Sequence, residues 1–197
     1  LNPEKEVKVL EPKDGYINPD EFRVFRDTLE RNIVNWFFIT DNDPAYLGDV
    51  FNNLGVFPEA DSLLVFGFEK DRNFNKIDNN FLARVHFHYP INTFIDHDTP
   101  AYKNFVSIYR RKYYGRPSPF AVEGFDMTYD LLQRLANSPD IINQGVSERI
   151  GTKYDFIENT SGGIINKGIY IIKYEGLSEK VMNSKKAQRL EAFSQMM

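Results

Sequence analysis

The chain has 197 residues, 42% of them hydrophobic and 26% charged, with a formal net charge of −4. That length serves one large domain or two small ones with a real core, and the acidic balance argues against general nucleic-acid binding, which needs a basic face. The absence of cysteine excludes disulfides, thiolate metal sites and cysteine nucleophiles.

The opening "LNPEKEVKVLEP" is polar and lacks the apolar core of a signal peptide, so the chain reads as mature, cytoplasmic or a fragment. Within it "VKVL" (7–10) alternates as a short strand does. In "NPDEFRVFRDTLERNIV" (18–34), Phe22, Phe25, Leu29 and Ile33 recur at helical spacing. "NWFFIT" (35–40) predicts a buried strand and "PAYLGDVFNNL" (44–54) a helix. "DSLLVFGF" (61–68) and "FLARVHFHY" (81–89) predict two further strands. None of these apolar runs is long enough to span a membrane. Two helices follow, at 100–114 and 119–137. "KYDFIE" and "INKGIYIIKYE" flank "NTSGG", a hairpin signal. The last stretch, from a capping Ser178, reads as a peripheral helix or tail. Alternating strands and helices predict an α/β fold with a mainly parallel sheet, finished by an antiparallel piece.

One device recurs. Asn18-Pro19, Asp43-Pro44, Thr99-Pro100, Ser118-Pro119 and Ser138-Pro139 each place a capping side chain before a proline at the first helical position. The cap accepts an orphan N–H, and proline loses nothing where its missing N–H had no partner. Glu21 extends the first of these toward a capping box. The segment "YYGRPSPF" is therefore a corner, with Gly115 closing one helix and Ser118 opening the next.

Three places could carry chemistry. Asp41, Asn42 and Asp43 end a strand, the edge where ligands bind in open α/β sheets. The turn is open to three readings: a helix cap at Asp43, a ligand-facing edge, or a metal-nucleotide site like the D-x-D of glycosyltransferases. Glu69 ends the next strand; beside the 41–43 turn, its carboxylate suits a cationic group such as an α-amine. His86 and His88, two apart on a predicted strand, precede Asp96, His97 and Asp98; the set is open to two readings, ligands to a divalent ion or ordinary strand and loop histidines. No Ser-His-Asp arrangement, P-loop or dinucleotide fingerprint stands out, and no cofactor is expected.

The order of elements resembles the C-terminal half of type I periplasmic binding proteins, the leucine/isoleucine/valine-binding and receptor ligand-binding family. The resemblance rests on "SLLVFGFE", "ARVHFHYP", "FVSIYRRKYYGRPSPFAVEGFDMTYDLLQRL" and "YDFIENTSGGIINKGIYIIKYEG" in that order. It includes a tyrosine-glycine-proline segment before a G-[YF]-D helix, here Tyr114, Gly115, Pro117, Ala121, Gly124, Phe125 and Asp126. It implies a three-layer α/β/α lobe, with residues 7–88 and 151–176 as the second lobe and 89–150 as the segment returning to the first. Residues 177–197 would be a peripheral helix or tail. It further implies a non-catalytic, periplasmic or envelope protein that closes on a small polar ligand such as an amino acid. Its partners would be a transporter permease or an envelope protein. By position Glu69 would meet the ligand amine; the aromatic that such proteins place near Asn42–Asp43 is missing. The alternative implied use is a lobe of this kind in protein–protein or peptidoglycan-associated interaction. In either use the resemblance implies that the helices at 100–137 cover a sheet of the first lobe, so that Phe105, Ile108, Phe120, Leu131 and Leu135 need that lobe, another chain or repacking to cover them.

Overall fold

A computed structural model describes residues 7–29, 33–55 and 62–184. Its first elements are α1 (Pro19–Arg26), β1 (Asn35–Ile39), α2 (Pro44–Gly55), β2 (Leu63–Gly67), a 3-10 turn (Arg72–Lys76), α3 (Asn79–Arg84) and β3 (His88–Ile91). Then come α4 (Pro100–Tyr113), α5 (Pro119–Asn137), β4 (Ser147–Glu148), β5 (Lys153–Tyr154), β6 (Phe156–Glu158), β7 (Ile164–Asn166), β8 (Tyr170–Glu175) and β9 (Ser178–Val181). The chain divides into two compact units, one of Leu1–Pro90 with Ile172–Lys180 and the other of Ile91–Ile171 with Val181–Met197.

The first unit is a mixed α/β body on a sheet of order β1-β2-β3-β8-β9. The first three strands are parallel, paired from Asn35↔Leu63 to Ile39↔Gly67 and then Phe66↔His88. Alternation along β1 and β2 divides the sheet into two faces. Leu63, Val65 and Ile39 are buried with Leu47, Phe51 and Leu54 of α2, Leu82 of α3, Phe87 and Ile172. Phe25 of α1 meets Phe37 edge-on at 5.8 Å on that same face. On the other face Trp36, Phe38, Phe66 and His88 form an aromatic row with ring centroids 5.0–5.4 Å apart. Gly67 ends β2 where a Cβ would stand 2.9 Å from the Phe87 ring, so only glycine admits that packing.

In the second unit α4 meets α5 through Phe105 and Phe125, 4.9 Å apart. α5 presents a polar spine to its own unit: Asp126, Asp130 and Arg134, spaced i, i+4 and i+8, are all buried. Asp126 accepts backbone N–H bonds from Ile150, Gly151 and Thr152 at 2.8–3.1 Å. Asp130 takes Arg134 Nε at 2.6 Å, Arg149 Nε at 2.8 Å, and the Ser147 hydroxyl. Arg134 also donates to the carbonyl of Gly145 at 3.0 Å and lies over the Phe156 ring at 5.1 Å. β4 and β5 pair antiparallel beside this spine, and β6 and β7 form the antiparallel hairpin that "NTSGG" predicts. Asn159 Oδ1 organises its turn by accepting from Ser161 and Gly163, with Gly162 at φ 78°.

Local expectations divide along physical lines. Asn18, Thr99 and Ser118 cap helices that begin with proline, each accepting a first-turn N–H. Ser138-Pro139 does not open a helix: Ser138 is the C-cap of α5, and its hydroxyl accepts from Asp140 N instead. Tyr114, not Gly115, takes the left-handed closing position of α4, at φ 55°. Residues 7–10 form no strand. α1 stops at Arg26, where Asp27 N bonds to the Arg23 carbonyl, well short of the 18–34 pattern. The predicted strand 81–89 is instead α3, opened by Asp78, then a turn through His86 at φ 48°, then β3. Glu21 pairs with Lys13 at 2.8 Å. Ser178 starts β9 rather than a helix, and 185–197 lie outside the described residues.

Candidate functional site

Because β1 and β2 are parallel and in register, the turns after Ile39 and Gly67 leave the sheet at one edge, the carboxyl edge at which open α/β sheets bind ligands. Asp41, Asn42 and Asp43 come from the first turn and Glu69 from the second. Asn42 joins them. Its Nδ2 donates to Glu69 Oε1 at 2.9 Å and to Asp71 Oδ2 at 3.0 Å. Its backbone carbonyl accepts from Asn73 Nδ2 at 2.9 Å. Asp71 in turn opens the 3-10 turn, with Asn73 N bonded to its Oδ1 at 2.8 Å. Asp41 Oδ1 accepts from Asp43 N, and Asp43 Oδ1 from Ala45 N, each at 2.8 Å.

A cavity of about 210 Å³ opens at this edge, lined by Asp41, Asn42, Glu69, Thr40, Phe68 and Phe74 over Ile39 and Gly67. Asp43 is not among the lining residues; it serves α2 as its cap. Asp71 and Asn73 carry no periodic signal in the sequence; their one trace is the Asp-x-Asn pattern of a capped turn in "KDRNF". Two carboxylates, Glu69 and Asp71, thus share the Asn42 amide, and Asp41 and Asp43 stand in the same turn as that amide. Among the described residues, no salt bridge ties Asp41, Asp43, Glu69 or Asp71 to a basic side chain.

Lys70, between Glu69 and Asp71 in sequence, is held elsewhere. Its Nζ lies 2.8 Å from Glu179 Oε1 and above the rings of Tyr174 and Tyr89 at 5.1 and 5.7 Å. Both tyrosine hydroxyls donate to the same Glu179 oxygen, at 2.8 and 2.9 Å. Burial works against the Lys70 charge, but the bonds to Glu179 and Tyr174 outweigh it and raise its pKa. Burial likewise opposes the Glu179 charge, and its three donors still hold its pKa below the ordinary carboxylate value. The effect on the edge is simple: the one lysine of the Glu69–Asp71 loop does not neutralise it.

The histidines do not converge. His88 is buried and stacked 5.0 Å from Phe66, and its Nδ1 has no hydrogen-bond partner among the described residues; burial lowers its pKa. His86 lies in the turn before β3, and His97 packs edge-on against Tyr102 at 4.7 Å. Among the described residues no three of His, Asp or Glu are placed to hold a metal ion. No described helix is long and apolar enough to cross a membrane.

The second unit has its own groove of about 670 Å³ between α4 and α5, lined chiefly by Phe105, Ile108, Tyr109, Phe125, Tyr129 and Arg149. Of the apolar face expected on these helices, Phe120 is 81% exposed, Leu135 53% and Ile108 49%.

No family model matches the chain, and no curated protein does. Solved structures do. The chain is similar to the substrate-binding protein of an ABC transporter from Desulfitobacterium hafniense in complex with Leu, at 15% identity over 82% of this chain and 45% of that one, with a TM-score of 0.37. It is similar to the C-domain of LpoA from Haemophilus influenzae, a regulator of PBP1A, at 13% identity over 83% and 49%, TM-score 0.44. It is also similar to the leucine-binding protein LivK from Thermotoga maritima, at 15% identity over 74% and 43%, TM-score 0.32. The chain spans less than half the length of each of these structures.

Proposed function

We propose that the chain is a non-catalytic ligand-binding module whose carboxyl sheet edge receives the ammonium group of a small polar ligand, such as an amino acid. The observation that supports this most is the set of acidic side chains at the ends of β1 and β2, with no basic partner among the described residues. Glu69 is the residue assigned to the ammonium, since it lines the cavity and lies in the turn directly after β2. Asn42 and Asp41 complete the contact, while Asp43 and Asp71 shape the two turns. A cavity of about 210 Å³ is smaller than the several hundred Å³ of most whole ligand sites, so it suits one end of a ligand. Such a module belongs in the periplasm or cell envelope, working with a permease or an envelope protein.

A second reading, a lobe that binds another protein, is favoured by the sheet face where Trp36 is 62% and Phe38 53% exposed. Calorimetric titration separates the two. An amino acid is expected to bind while its des-amino analogue does not, and Glu69→Ala should remove the binding. If neither compound binds, or Glu69→Ala binds as the parent does, the amine site is wrong.

A further inference from the structure

Four of the 24 lysines and arginines lie within seven positions, Arg110, Arg111, Lys112 and Arg116, in a chain of net charge −4. All four are exposed. Among the described residues none takes part in a salt bridge; Lys112 lies 5.3 Å from the centre of the Tyr113 ring. The same corner carries Tyr114 at 95%, Phe120 at 81% and Tyr113 at 57% exposure. Tyr114 occupies a left-handed position, φ 55°, where glycine or asparagine is the usual choice.

The ordinary role of cations at a helix C-terminus is to offset its dipole. That accounts for Arg110 to Lys112. It does not account for Arg116, which lies beyond the helix, or for two aromatic rings left almost wholly in water.

We propose that the α4–α5 corner docks on a membrane surface of anionic lipid headgroups. Cations near such a surface are attracted individually, and amphipathic aromatic rings settle at the boundary between headgroups and acyl chains. A polypeptide that is acidic throughout, with no apolar side chains, would use the charges but leave Tyr114 and Phe120 without a place. The proposal is independent of the amine site, so Glu69→Ala should leave it untouched.

Sedimentation with vesicles tests it. The chain is expected to pellet with phosphatidylcholine vesicles containing phosphatidylglycerol, and to stay in solution with phosphatidylcholine alone. Arg110→Gln with Arg111→Gln should weaken the binding about 30-fold, from about 1 kcal/mol per cation at such a surface. Tyr114→Ser with Phe120→Ser should weaken it as well, and added salt should reduce it by screening. These side chains are exposed, so an unchanged circular dichroism spectrum will show that the variants fold. Equal pelleting with both vesicle types, no pelleting with either, or full binding by the arginine variant overturns the proposal. So does tighter binding to polyglutamate than to the vesicles, which would assign the corner to an acidic protein.

Discussion

Asp126 accepts three backbone N–H groups with two oxygens, and no neutral isostere can do the same. In Asp126→Asn one oxygen becomes an NH₂ that faces donors, leaving buried N–H groups unpaired at about 1–3 kcal/mol. Urea unfolding should show a loss of that size. His88 gives the second residue-scale prediction. Burial lowers its pKa, so the unfolded chain takes up a proton near pH 6.5 while the folded one does not. Stability contributed by neutral His88 is therefore present above about pH 6.5 and lost as pH falls through its lower folded value. His88→Phe should flatten that part of the pH–stability curve. Caps such as Asn18, Thr99 and Ser118 were legible because a cap depends on a few neighbouring residues. The spine of Asp126, Asp130 and Arg134 was not, although its spacing is plain: charges at i, i+4 and i+8 ordinarily mark a solvated face, and only the 145–154 segment makes them a buried one.

At the scale of elements, the Lys70–Glu179 pair ties the loop after β2 to the β8–β9 hairpin. Side-chain exposure of 18% and 32% makes the pair partly buried, between the exposed case worth little and the buried one costly to break. Glu179→Gln leaves the Lys70 charge uncompensated and should cost about 1–2 kcal/mol, measured by urea unfolding at neutral pH. With the Glu179 pKa lowered and that of Lys70 raised, the contribution is present above the ordinary carboxylate pKa and below that of lysine. It fades as pH falls through the folded Glu179 value or rises through the folded Lys70 value. The strands β1 and β2 and the helices α2, α4 and α5 could be read from apolar spacing and proline-led starts. Phe81–Arg84 could not. A run of a few apolar residues fits either period, and Asp78, which decides for the helix, lies outside the run. The sequence pattern makes Tyr170–Glu175 one arm of the "NTSGG" hairpin, but β7 closes that hairpin and frees β8 for the five-stranded sheet.

For the whole molecule, the parallel register of β1 and β2 is what brings the Asp41–Asp43 turn and the distant Glu69 to one edge. Asp41, Asn42 and Glu69 could be named beforehand because strand ends are where such sheets receive ligands. Asp71 and Asn73, which fasten the two turns together, depend on side-chain bonds across about thirty residues and leave no periodic trace. An amide map shows whether this edge takes an ammonium group. In ¹H–¹⁵N spectra of the chain titrated with an amino acid, the amides of residues 40–43 and 67–71 should shift in proportion to occupancy, and should not move with the des-amino analogue. Shifts confined to the α4–α5 groove, or no shift at residues 40–43 and 67–71, would contradict the account.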